Sequence, residues 1–211
     1  MAIKVYGAPG STATLRVRAC LAEKDLDYEF VKVDMANKEH KKPEFLARNP
    51  FGQVPVFEDG DLTLFESRAI TQYLAHAYPD KGNSLIITDP KKMAILAVWI
   101  EVESQKFEPT ASKLVWELIL KSMLLGMSPD EAVVDEHEKK LEELLDVYEK
   151  RLSECKYLGG DSFTLVDLHH LPNLKYLMGT KVKRLFDARP HVSAWAADIQ
   201  SRPGSIKAFT A

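Results

Sequence analysis

Cysteine is scarce in this chain: Cys20 and Cys155 are the only two in 211 residues, far apart and in neither a C-x-x-C nor a metal-type spacing. That argues against a disulfide scaffold and a zinc ribbon, and reads as two reduced thiols in a cytoplasmic protein. Charge of one sign is also lacking. The 28 Lys and Arg nearly balance the 31 Asp and Glu, for a formal net charge of −3, so no basic field argues for nucleic acid or an anionic membrane. Long apolar runs are absent too, the longest being residues 93–100, far short of the roughly 20 that a membrane span needs. Lys4 is followed by only a few apolar residues before Gly7, Pro9 and Gly10, so no signal or transit peptide is visible. What remains is an ordinary globular composition, 45% hydrophobic and 28% charged, long enough for one or two domains with a substantial core. No internal repeat or low-complexity segment interrupts it.

Two different periodicities divide the chain. Residues 3–6 read as a strand broken by Gly7-Ala8-Pro9-Gly10, and residues 14–24 as a helix with Leu15, Ala19 and Ala22 on one face. Residues 28–33 alternate as a second strand, 38–42 are polar and basic, and 43–47 suit a helical turn. Residues 54–58 and 62–65 flank Asp59-Gly60-Asp61, a hairpin signal, and 67–78 carry Ile70, Tyr73, Leu74 and Ala77 at helical spacing. The expected order is therefore β-α-β-α-β-β-α over residues 1–80. Residues 79–84 have linker composition, and Thr88-Asp89-Pro90 adds a second break.

From residue 90 to 211 the pattern is helical only. Residues 91–121 read as one or two long helices, interrupted or kinked near Pro109. Residues 129–154 place Val134, His137, Leu141, Leu145, Tyr148 and Leu152 on one stripe, too short for a coiled coil and suited to a core. Thr164-Leu165-Val166-Asp167 matches a capping box in its Asp form, opening a helix to about Met178. Residues 190–201 form a last amphipathic helix with Val192, Trp195 and Ile199 inward.

The most specific stretch is Asn49-Pro50-Phe51-Gly52-Gln53-Val54-Pro55-Val56, followed by Glu66-Ser67-Arg68-Ala69-Ile70. Pro55 stands at the mouth of an apolar, β-branched run where a ladder N–H is normally required, which implies backbone held open to something other than a neighbouring strand. Taken singly, Val54-Pro55 reads as an edge or bulge device, Ser67 as an ordinary N-cap and residues 38–42 as a solvated face. Their order and spacing, together with Glu39-His40-Lys41-Lys42 and Phe163-Thr164-Leu165-Val166-Asp167-Leu168, resemble the cytosolic glutathione transferases over essentially the whole chain, and most of all the phi class of plants.

That resemblance implies a thioredoxin-like α/β domain that binds glutathione, an all-α domain lining the electrophile pocket, and a homodimer. Glutathione is a co-substrate, and no metal or cofactor is implied. A cis proline at Pro55 turns the Val54 backbone outward to pair with the cysteinyl unit as an added strand does. Glu66 and Ser67 begin a helix whose free N–H groups suit the γ-glutamyl carboxylate, with Glu66 accepting from the ammonium. His40 and Lys41, with Gln53 beside them, suit the glycyl carboxylate.

By the same resemblance Ser11, at the start of the first helix, donates to the glutathione sulfur and stabilises its thiolate. Ser11 also reads as a plain cap, with Thr12 and Thr14 as rival caps and Thr12 as a rival hydroxyl that also counts among the glutathione contacts. Tyr6 lies within the strand, and no cysteine occupies this position. Thr12, Met35, Leu114, Trp116, Leu118 and Met123 are the electrophile-pocket candidates by family position, although such residues at helical spacing also suit a core. Phe51, at a turn tip, is expected to insert into the partner subunit. His169 and His170 point about 100° apart on a helix, so packing is preferred to a shared metal. Conjugation of glutathione to apolar electrophiles leads, with hydroperoxide reduction as a second activity. A noncatalytic carrier of apolar ligands is the alternative, and an assembly module of translation factors is disfavoured.

Overall fold

The computed structural model describes residues 2–210. The chain divides into two compact units, one running to Ile86 and taking back the residues from Pro203 onward, the other running from Ile87 to Arg202.

The first unit holds a four-stranded sheet in the order β2-β1-β3-β4, built from β1 (Ile3–Gly7), β2 (Tyr28–Lys32), β3 (Val56–Asp59) and β4 (Leu62–Phe65). β1 and β2 are parallel, which requires a crossover, and α1 (Thr12–Glu23) supplies it. β1 and β3 are antiparallel from Tyr6↔Val56, and β3 and β4 form the hairpin marked by Asp59-Gly60. A tight turn at Glu39–Lys41 and the short α2 (Pro43–Leu46) fill the connection before β3. The third helix of this unit, α3 (Ser67–Ala77), packs on α1, burying Ile70 and Leu74. The ladder begins at Val56 and not at Val54, because Pro55 has no N–H to give it.

The second unit is helical. α4 (Pro90–Val102), α5 (Glu108–Val115) and α6 (Lys121–Leu125) follow one another along residues 90–125, joined by wide turns at Glu103–Phe107 and Trp116–Leu120. The expected break near Pro109 takes the first of these forms: the Glu108 N–H reaches back to the Glu103 carbonyl, five residues away, just before the residue that has no N–H. α7 (Glu131–Glu154) buries Val134, Leu141, Leu145 and Tyr148 against α5 and α10 (Pro190–Ser201). His137 of the same stripe is only half-buried. α8 (Leu165–Leu177), opened by the capping box, is buried around nearly its whole circumference, and α9 (Lys183–Asp187) is a short helix that sequence periodicity did not show.

The last helix, α11 (Pro203–Thr210), was likewise unexpected. It packs on α1 in the first unit, whereas the sequence reading has a single helical domain through residue 211. No described helix is long and apolar enough to cross a membrane.

Candidate active site

Three stretches of the first unit meet at one cavity of about 410 Å³, lined by His40 and Lys41, by Asn49 and residues 52–55, and by Glu66 and Ser67, with Ala13 and Met35 completing it. The middle stretch is a loop shaped by its own polar groups. The Asn49 side chain donates to the Gln53 carbonyl (2.8 Å) and accepts from the Phe51 N–H (3.0 Å). The Lys41 ammonium donates to the carbonyls of Phe51 (3.0 Å) and Gly52 (2.8 Å), which ties the basic turn to the loop. Gly52 has φ +57°, and a Cβ there would lie 2.7 Å from the His40 carbonyl oxygen and 2.9 Å from Lys41 Nζ. Only glycine accommodates both the backbone angle and the approach. The Val54–Pro55 bond is cis, and both residues lie ahead of the β3 ladder on the cavity wall.

The other two stretches carry the polar groups. His40 Nδ1 is buried with no hydrogen-bond partner in the protein, so this wall offers an unspent polar atom. Glu66, at φ 70° and ψ 106°, sits in a strained backbone region that turns β4 directly into α3, at a cost of about 1–3 kcal/mol. Its side chain does not cap α3, so that end is not closed by its own N-cap residue. Ser67 Oγ accepts from Arg16 Nη1 at 2.8 Å.

Ser11 is the N-cap of α1, in extended conformation, with its Oγ accepting from the Thr14 N–H at 3.3 Å. A hydroxyl that accepts in this way still has its proton to donate, so cap and thiolate donor are compatible roles. Thr14 is buried with its Oγ1 accepting from the Ala8 N–H; Ser11 and Thr12, half-buried, directly precede Ala13 in the chain, and of these three only Ala13 lines the cavity. Tyr6 is spent elsewhere: its hydroxyl donates to Glu58 at 2.8 Å, and burial with that carboxylate pushes its pKa up. Cys20 is fully enclosed, and burial pushes its thiol far up, so it offers no thiolate.

Seven of the residues expected at the glutathione site, His40, Lys41, Gln53, Val54, Pro55, Glu66 and Ser67, thus share one cavity. The electrophile-pocket candidates fall in both units: in the first, Met35 lines the same cavity and Thr12 is half-buried; in the second, Leu118 is half-buried and Trp116 and Met123 are exposed. Leu114 is wholly enclosed. Phe51 is 65% exposed. His169 and His170 diverge, the first toward Glu103 (3.8 Å) and the second toward the Val166 carbonyl (2.7 Å) and Tyr148 hydroxyl (3.0 Å). Sequence reasoning missed Arg16, whose charge in a helix reads as solvated, and the shaping roles of Asn49 and Gly52, for which Asn-Pro and the turn glycine were available signals.

Comparison with known proteins agrees over both units. The model of the glutathione S-transferase N-terminal domain matches residues 1–76, and that of the C-terminal domain matches 107–203. Glutathione S-transferase APIC of Nicotiana tabacum is 66% identical over 207 residues, covering 98% of this chain and 97% of the relative. The crystal structure of glutathione transferase F7 from Populus trichocarpa superposes with a TM-score of 0.93 at 49% identity, covering 98% of this chain and 97% of that one. Glutathione S-transferase I from maize, in complex with an atrazine glutathione conjugate, gives a TM-score of 0.91 at 41% identity, covering 99% and 97%. The chain belongs to the glutathione S-transferase family, in its plant phi class.

Proposed function

We propose that the first unit's cavity binds reduced glutathione as an extended strand whose cysteinyl backbone pairs with Val54. His40, Lys41 and Gln53 take the glycyl carboxylate; Ser67 and the start of α3 take the γ-glutamyl carboxylate, and Glu66 accepts from the ammonium. The activity is that of the family, conjugation of glutathione to an electrophile. The observation that carries the assignment is the convergence of these three stretches on one cavity. Ser11 donates to the sulfur, the thiol proton leaves to solvent, and the thiolate forms a bond to the electrophilic carbon as the leaving group departs with its electron pair. Thr12 and Met35 in the first unit, and Trp116, Leu118 and Met123 in the second, are assigned to the electrophile on family resemblance. Leu114, being enclosed, is assigned to packing.

The test is the pH dependence of thiolate absorbance for glutathione bound to the protein. A free thiol titrates near 8.5, and binding is expected to bring it to about neutral. Glutathione that binds with an unshifted thiol, or does not bind, would overturn the assignment.

The working form is a cytoplasmic homodimer. Phe51 is a large exposed ring resting edge-on against Phe65, and the helical unit carries a groove of about 570 Å³ between α4–α5 and α7, with Val102, Pro109, Leu144 and Val147 in its lining. The Phe51 ring of one copy enters this groove on the other, as an anchor residue does. Phe51→Ala is expected to raise the dimer dissociation constant by about 10- to 100-fold. An unchanged sedimentation profile at micromolar concentration would count against the anchor.

A further inference from the structure

We infer that Arg16 is a positioning residue for the γ-glutamyl carboxylate, acting through Ser67; the inference rests on the glutathione assignment above. Arg16 lies in α1, is 1% exposed, and donates from Nη1 to Ser67 Oγ at 2.8 Å, while Ser67 is itself only 5% exposed and lines the cavity. The direction of this bond is fixed by chemistry. A guanidinium has donors and no acceptor, so the serine oxygen must accept. Its own proton is thereby kept out of that contact and left to donate elsewhere. A serine held in this way is a ready donor to an anion and a poor partner for a neutral or cationic group.

A guanidinium remains protonated at any physiological pH, so its donation to Ser67 does not titrate away. It sits behind the first residue of α3, an eleven-residue helix whose N-terminal end already carries partial positive charge. Two effects therefore favour a carboxylate at Ser67: the hydroxyl proton that the Arg16 contact leaves to donate, and the helix end. Glu66 beside it supplies the acceptor that the adjacent ammonium requires, so the two charged groups of the γ-glutamyl unit are told apart by two consecutive residues.

The role separates from a purely structural one by which ligand feels it. Initial rates and binding are measured for wild type, Arg16→Met and Arg16→Lys, with glutathione and with 4-aminobutyryl-cysteinylglycine, which lacks only the γ-glutamyl α-carboxylate. Arg16→Met is expected to raise the KM for glutathione by about 10- to 100-fold, to change kcat at saturating glutathione less than about threefold, and to leave the KM for the electrophile and the bound thiol pKa unchanged. For the decarboxylated analogue the same substitution is expected to cost less than about threefold. Arg16→Lys, which keeps the charge and loses the planar fork, is expected to recover part of the loss, and it supplies the same ligand comparison should the methionine variant not fold. An equal loss for both ligands, or a fall in kcat with KM unchanged, would overturn the role of Arg16. A wild type that does not bind glutathione would overturn the assignment on which it rests.

Discussion

Ser11→Ala is expected to lower kcat/KM near neutral pH by about 100- to 1,000-fold while leaving glutathione affinity within a fewfold, because in the role proposed for it Ser11 is the donor to charge that develops on sulfur. The bound thiol should then titrate near its free value of about 8.5. The sign of the pH dependence follows. Below that value the variant holds mostly thiol, so its deficit is greatest at low pH and narrows as pH rises and the thiolate forms without help. The substitution also removes the bond from the Thr14 N–H to Ser11 Oγ, so a loss of about 1 kcal/mol in stability is expected alongside. Ser11→Thr preserves both cap and donor and separates the two effects: recovery of activity with threonine and not with alanine identifies the hydroxyl. If Ser11→Ala keeps the wild-type thiol pKa, Thr12 becomes the hydroxyl to examine.

The parts of this site that were legible in sequence are those where local chemistry is conspicuous. Pro55 in a β-branched run, the Asn49-Pro50 turn, Glu66-Ser67 at a strand-to-helix junction and the Asp59-Gly60 hairpin each break a periodic pattern, and each lies in the region that the structure brings around the cavity or its supporting hairpin. Arg16 was not legible for the opposite reason. With Arg18 it makes a helix look solvated, yet both are buried, and the contact of Arg16 with Ser67, 51 residues away, is set by tertiary placement. The return of α11 was hidden similarly, since Pro203-Gly204 reads as the end of a helix. In the structure Gly204 packs so closely on Glu23 that a Cβ there would lie 2.6 Å from its carboxylate oxygen. Leu114 shows the limit of family position alone: it falls in a helix with the enclosed Ala111 and Val115, and enclosure is set by neighbours distant in sequence.

Asp167→Ala is expected to destabilise the helical unit by about 3–5 kcal/mol, or to abolish recovery of folded protein, although the residue is assigned no chemistry. Its carboxylate is wholly buried and accepts four hydrogen bonds: from the Leu158 N–H (3.1 Å) and Trp195 Nε1 (2.9 Å) on one oxygen, and from the Thr164 N–H (3.0 Å) and hydroxyl (3.2 Å) on the other. One side chain therefore joins the start of α8, the preceding loop and α10. Alanine leaves three buried N–H donors without their partner, and the cost is that of donors unsatisfied in a core. Burial pushes the Asp167 carboxyl up to about 6 against the pull of those donors. A folded-state pKa above the unfolded value of about 3.9 means that the folded protein holds the extra proton between the two. This group therefore contributes stability that is full below about pH 4 and lost as pH rises through about 6. The gap between wild type and Asp167→Ala should accordingly widen by roughly 1–1.5 kcal/mol from pH 7.5 to pH 5. Urea unfolding at the two pH values measures both quantities; a truncation costing under about 1 kcal/mol would show that the four contacts do not hold these elements together.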